Sequence, residues 1–450
     1  MSSVLRVGRR GRLIGAAVCV ALALAACGGS DSSDSSSDQS GGGSDTAADG
    51  SGGDRPFEGV TLRFGKAPHG EDELANWGEW LEEFKAETGI TVELTQVPWD
   101  QLEALYTANF ASDEPYDVTY QTSAHLTLFG ERGAFEDVTA RINGPDFSDD
   151  LENFPEGVIN ASVYDGNLFD VPFVVGTIAM FVNLDMLESA GQEIPTTIEE
   201  LEEVSAAIMA DQASQGNDDV WGFYTPRTVS DFNWYFQLQD VKNRGGDILS
   251  ADGKTATFDT DAVKDAATAA AALICEAEVQ PPNGLYNREA AIELFKAGKL
   301  AFILDEPSRV VAFEDEGLDF AWDIAMPVGF GDVAKQFATT GHWTISADSS
   351  NSDAAWEFVK WLSSAEFNSR YNQRYGFVPA RLDADASGGN EMLARNASWV
   401  EVWDGLRTSP EISQLLDEYA QALEVVTSCS GTADEAFAAA QERADRIVSS

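Results

Sequence analysis

The sequence is poor in the residues from which catalytic and metal centres are most often built. Histidine occurs only three times in 450 residues, at His69, His125 and His342, and cysteine four times. The histidines lie on separate segments without the short ligand spacing that marks zinc motifs, so neither a metal nor a cofactor is expected. The patterns G-x-S-x-G and H-E-x-x-H are both absent, which removes two common routes to a hydrolase. Basic residues are scarce, 28 Lys and Arg against 76 Asp and Glu, for a formal net charge of −48. So acidic a chain argues against nucleic acid or bare anionic membrane as a partner. Its plain reading is solubility, and a cleft tuned for a cationic ligand is the sharper alternative. No internal repeat is present, and beyond the N-terminal region no apolar run is a membrane-span candidate.

What is present begins at the N-terminus. Arg6, Arg9, Arg10 and Arg12 precede an apolar run from Leu13 to Ala26, the layout of a secretory signal over 1–26. Leu24-Ala25-Ala26-Cys27 resembles the bacterial lipobox, which implies an acylated Cys27 and a chain held at the outer face of the cell membrane. Residues 27–56 are dominated by Ser, Gly and Asp, with too little apolar surface to offset the entropy of ordering. A flexible tether of that length spans about 30 Å. With Cys19 in the leader and Cys27 acylated, Cys275 and Cys429 remain as a pair that an oxidising compartment can bridge. Sequence alone does not show that their Cβ atoms meet.

The remaining chain is long enough for two lobes. Strand patterns at 59–65, 90–97 and 116–121 alternate with helical ones, the first of which places Trp77, Trp80, Leu81 and Phe84 on one face. That alternation predicts parallel βαβ units, with the ligand crevice beyond the carboxyl ends of the strands. In 166–187, Pro172 and Gly176 interrupt a long apolar stretch, as expected where a strand leaves one sheet and enters another. The segment 337–346 reads as a second crossover, and the tail from 410 to 450 as two helices.

Six blocks in order, "EFKAETGITVELTQVPWDQL", "GAFEDVTARI", "LFDVPFVVGTIAMFVNLDMLESAG" with "IPTTIEEL", "GGDIL" with "TATF", "LFKAGKLAFIL" and "SDAAWEFVKWL" with "YGFVPAR", resemble the family 1 extracellular solute-binding proteins of ABC importers. This is the maltose-binding-protein-like group, and the resemblance covers roughly 57–450. Two departures stand out. Glu114-Pro115-Tyr116-Asp117 replaces a frequent Gly-Pro-Asp, and Ser308 stands where an aromatic is common. The resemblance implies a two-lobed α/β fold of the periplasmic-binding-protein type II class, with a ligand cleft between lobes joined by strand crossovers. The N-terminal lobe would comprise 57–174 plus about 341–390, and the C-terminal lobe 178–338 plus about 391–450. It further implies a monomer that closes around a sugar, oligosaccharide or polyol and presents it to ABC permease subunits, without covalent chemistry.

Sugars offer hydroxyl edges and C–H faces, so hydrogen-bonding side chains and aromatic platforms are the candidates. The loop after the first strand supplies Lys66, His69 and Glu71, and the loop after the third supplies Gln121, Ser123 and His125. The first crossover adds Gly176 and Thr177, and the second Gly341, His342 and Trp343. The far lobe adds Phe232, Trp234 and Glu306. Competing readings are a binder of polyamine- or betaine-like solutes, a sensory or surface protein on the same fold, and a secreted glycoside hydrolase. The last requires two carboxylates flanking one bond, and a count of acids does not select such a pair.

Overall fold

The computed structural model describes residues 55–70, 72–155, 158–159, 162–164, 167–229, 232–282, 287–329 and 335–449. The expectations for the leader, Cys27, the tether and Glu71 fall outside the described residues. Asp54–Ser450 forms one compact unit.

Two sheets organise it. The strands are β1 (Thr61–Lys66), β2 (Thr91–Gln96), β3 (Val118–Thr122), β4 (Val163–Tyr164), β5 (Asn167–Leu168), β6 (Val171–Thr177), β7 (Ala179–Asn183), β8 (Trp221–Tyr224), β9 (Leu300–Asp305), β10 (Trp322–Ala325), β11 (Gln336–Ile345), β12 (Val378–Pro379) and β13 (Trp403–Gly405). The larger sheet runs β12-β6-β11-β3-β1-β2, with β13 joined to the start of β11, and the smaller runs β10-β7-β9-β8. β1 pairs in parallel with both β2 and β3, while β11 is antiparallel to β3 and β6. The first crossover is the step from β6 in one sheet to β7 in the other, across Ile178. β6 and β11 lie side by side there, Thr177 opposite Ala338 and Gly176 opposite Thr339.

Local sequence explains the main elements. Alternation in β1 buries Leu62 and Phe64, and helix Glu73–Thr88 covers them with Trp77, Trp80, Leu81 and Phe84 at helical spacing. Helix Ile198–Ser214 starts where Thr197 accepts the Glu200 N–H, while the Glu200 carboxylate accepts the Thr196 N–H at 2.8 Å. The two C-terminal helices, Ile412–Thr427 and Ala433–Val448, pack in the core of the smaller sheet with Tyr419 and Phe437 in contact. Cys275 and Cys429 are bonded, fastening the end of the helical run 261–276 to the turn after Ile412–Thr427. No described helix is long and apolar enough to cross a membrane.

Five candidate residues sit in the core instead of on a surface open to ligand. Trp343 is 1% exposed, its ring against Phe173, Phe64 and Tyr120. His342 and Gln121 are fully buried neighbours on β11 and β3. Thr177 is spent on Asn396, and Lys66 is buried against Glu73. Gln121, His342 and Trp343 lie within strands, whereas Lys66 and Thr177 end theirs and are enclosed by the partners just named. Helices cover this sheet, so most side chains within its strands are enclosed, and the strands open to the cleft only over short stretches such as Thr339–Gly341 of β11.

Candidate functional site

Between the two sheets lies a cleft of about 1330 Å³. Its walls come from the loops after β1 and β2, the start of helix Ser123–Gly130, the crossover strands, helices Asn233–Asn243 and Arg288–Lys296, and the turn after β9. Of the candidates, His69, Ser123, His125, Gly176, Phe232, Trp234, Glu306 and Gly341 line it.

Two large aromatics reach the cleft from opposite lobes with substantial free surface. Trp99, 40% exposed, follows β2 and donates its indole N–H to the Pro68 carbonyl at 2.6 Å. Phe232, 46% exposed, precedes helix Asn233–Asn243 at φ 57°, a left-handed conformation that few phenylalanines adopt. Trp234 is the second residue of that helix, edge-on to Tyr235.

The floor is built around glycine. A Cβ on Gly176 would sit 3.1 Å from Thr339 Oγ1, 3.4 Å from the Tyr235 hydroxyl and 3.9 Å from Glu306 Oε1, so the absent side chain lets three polar groups converge. The Tyr235 hydroxyl is buried with Thr339 beside it, but the contact lacks good hydrogen-bond geometry. Gly341 serves Tyr120 in the same way, since a Cβ there would lie 2.2 Å from the Tyr120 hydroxyl.

Much of the charge in the cleft is paired. Arg288 binds Asp305 at 2.5 Å and Glu306 at 3.4 Å, with its guanidinium 5.2 Å from the Phe236 ring centroid. Arg309 meets Glu289, and Lys296 meets Glu293 and Glu316. Arg374 joins Asp72 on its own lobe to Asp315 on helix Ser308–Glu316 of the other. Burial raises the Glu306 carboxyl above its usual range, with Arg288 opposing the shift.

The cleft imidazoles are held neutral. Burial, reinforced by the nearby Lys66 ammonium, pulls His69 well below its ordinary value, and burial takes His125 to about 4. His69 Nδ1 meets the Tyr371 hydroxyl at 2.6 Å and its ring stacks on Trp99, while His125 Nδ1 meets Thr122 Oγ1 at 2.9 Å. No group of histidine, cysteine and carboxylate side chains that could hold a metal occurs among the described residues.

Sequence reasoning passed over Trp99, Tyr120, Arg288, Thr339, Thr340 and Arg374, all of which line the cleft. Trp99 carried a readable signal, an indole immediately beyond the carboxyl end of a parallel strand. The arginines carried none, because Arg288 finds Asp305 17 positions further along the chain, beyond a helix and a strand.

The geometry agrees with what known proteins show. The profile of the family described as bacterial extracellular solute-binding protein matches residues 79–397. A protein of Brucella abortus (strain 2308), named a binding protein, is 25% identical over 388 residues, spanning 83% of this chain and 91% of its own length. A maltooligosaccharide ABC transporter solute-binding lipoprotein of Streptococcus pneumoniae (strain ATCC BAA-255 / R6) is 24% identical over 256 residues, 56% of this chain and 58% of its own. The GacH receptor of Streptomyces glaucescens, solved unliganded and with acarbose, superposes with a TM-score of 0.75 at 22% identity, covering 87% of this chain and 98% of that one. The fold is therefore the two-lobed α/β architecture of such receptors, and the chain belongs to the bacterial extracellular solute-binding protein family.

Proposed function

We propose that the chain is the substrate-binding protein of an ABC importer, capturing a sugar, oligosaccharide or polyol between its lobes and held to the membrane through acylated Cys27. The observation that carries the ligand reading is the pairing of exposed Trp99 and Phe232 on opposite lobes above a floor of Thr339, Tyr235 and Glu306. Aromatic faces match sugar C–H faces, and the floor groups match hydroxyls. A cleft of about 1330 Å³ exceeds the roughly 300–1,000 Å³ that suits a drug-sized ligand, which favours an oligosaccharide over a monosaccharide. Contacts from both lobes give the ligand its differential affinity for the closed form. The lipoprotein among the relatives supports the anchor, as does the lipobox-like segment at Cys27.

The test is a thermal-shift screen of maltose, maltotriose, acarbose, monosaccharides, polyols, polyamines and betaine. Stabilisation should grow with ligand concentration, reaching about 2.7 kcal/mol at a hundredfold excess over Kd. A cationic solute is the second reading, favoured by the carboxylates Asp100, Glu103 and Asp417 along the cleft. Shifts confined to polyamines would replace the sugar assignment with it. For the anchor, Cys27→Ser should release the protein from membranes; an unchanged membrane fraction refutes acylation at Cys27.

A further inference from the structure

A chain of hydrogen bonds runs from the interior of the larger sheet to the cleft surface. Its inner end is Asp170, 2% exposed, whose Oδ1 accepts the Ser162 hydroxyl at 2.7 Å and faces His342 Nδ1 at 2.7 Å. The other ring nitrogen, His342 Nε2, lies 2.5 Å from Thr340 Oγ1. Thr340 Oγ1 is in turn 2.7 Å from Ser123 Oγ, and Ser123 Oγ accepts the Thr340 backbone N–H at 3.0 Å. Ser123 and Thr340 line the cleft; His342 and Asp170 do not.

The order of donors and acceptors follows from the inner end. An ionised carboxylate only accepts, so the nitrogen facing it must carry the proton. In its neutral form the His342 imidazole has that one N–H, which leaves Nε2 bare and obliges the Thr340 hydroxyl to donate to it. With its hydrogen committed inward, Thr340 Oγ1 accepts from the Ser123 hydroxyl at 2.7 Å, whose other acceptor in reach is the Thr340 backbone carbonyl at 3.2 Å. Both hydroxyl hydrogens are then used within the protein, and only oxygen lone pairs remain toward the cleft.

We infer that Asp170 and His342 are positioning residues that fix Ser123 and Thr340 as a hydrogen-bond-accepting pair, so that this part of the cleft selects a ligand O–H or N–H donor. The inference rests on the binding-protein reading of the cleft and adds to it a polarity that neither hydroxyl has alone. Serine and threonine hydroxyls ordinarily rotate to suit either kind of partner. Here the buried carboxylate removes that freedom in advance, and a pre-oriented site spends less of its interaction on ordering.

Two measurements test this on the folded chain. The first needs no ligand. With histidine ¹⁵N-labelled, the three imidazoles are few enough to assign through His69→Gln and His125→Gln. His342 should be the Nδ1-protonated tautomer with Nε2 bare, and Thr340→Val should move its Nε2 signal. A proton on Nε2, or an Nε2 signal indifferent to Thr340→Val, overturns the relay. The second compares maltose with its monodeoxy and monodeoxyfluoro analogues, fluorine being unable to donate. At the hydroxyl that meets the pair, both replacements should weaken binding equally, by about three- to tenfold, and Ser123→Ala with Thr340→Val should abolish the difference from maltose. Fluoro analogues that match maltose at every position overturn the inference. If no sugar or polyol of the thermal-shift screen binds, the sugar assignment fails, and the imidazole measurement decides the relay independently.

Discussion

Glu73→Gln is the most informative single change outside the cleft. Glu73 and Lys66 are each 1% exposed, and the carboxylate gathers four donors: the Lys66 ammonium, the Trp77 indole N–H at 3.0 Å, the Tyr371 hydroxyl at 2.8 Å and the His69 backbone N–H at 2.5 Å. The ammonium also donates to the Ala67 carbonyl and lies 5.3–5.9 Å from the ring centroids of Tyr120, Tyr371 and Trp77. Burial pulls the Lys66 pKa down while Glu73 pulls it back up. Removing the carboxylate's charge strands the ammonium, a loss of about 3–5 kcal/mol for breaking a buried pair from one side. The variant should also acquire a pH dependence of definite sign. Its folded state resists protonating Lys66 more than the unfolded chain does, so stability rises with pH toward about 10.4, the unfolded value. Denaturant titration at several pH values measures both effects. Lys66→Met with Glu73→Gln should recover most of the loss, because no charge is left unpaired. A single variant within about 1 kcal/mol of the parent, or a double variant no better than the single, would refute the reasoning.

The two tryptophans singled out from the sequence should separate by phenotype. Trp234→Ala is expected to weaken sugar binding with little change in stability, whereas Trp343→Ala should cost about 3–5 kcal/mol of stability, as core aromatic truncations do, read from melts without ligand. Replacing Cys275 and Cys429 by alanine removes a cross-link between positions 154 apart and should destabilise by about 2–5 kcal/mol, with equal melting of reduced and oxidised protein as the contrary result. The Glu306 carboxyl, raised by burial, holds its proton longer folded than unfolded. Stability should therefore fall as pH rises from about 4.3, the unfolded value, through the raised folded one, and Glu306→Gln should flatten that slope.

The fold was legible where a local pattern has only one outcome. Trp77, Trp80, Leu81 and Phe84 have helical spacing and one apolar face, and nothing else could bury them together. The first crossover was legible because the apolar run is too long for one strand of one sheet, although Pro172 and Gly176 lie inside β6 and the step to β7 falls at Ile178. Depth within the sheet was not. Gly341, His342 and Trp343 are consecutive, yet only the first lines the cleft, because the end of the opening along β11 is set by how far β3 and β6 continue beside it. Helix Asn233–Asn243 sets the same limit from the other lobe. Phe232 stands outside its first turn and is exposed, whereas Tyr235, three residues on, is buried.

The acidic composition takes on a different meaning at the site than in the whole chain. A net charge of −48 makes a cationic ligand the natural first thought, yet Asp72, Glu289, Glu293, Glu306, Asp315 and Glu316 in the cleft are all engaged by Arg374, Arg309, Lys296 or Arg288. A carboxylate so engaged still accepts a hydroxyl proton, but much of its field is already cancelled by its partner. The wall formed by these six recognises hydrogen-bond donors more than net positive charge, which is what a polyhydroxylated ligand requires, while Asp100, Glu103 and Asp417 along the cleft stand outside these pairs. The excess charge belongs mainly to the outer surface, where it favours solubility. Selection in the cleft then falls to the aromatic platforms and to the fixed direction of the Ser123–Thr340 pair, neither of which depends on how acidic the rest of the chain is.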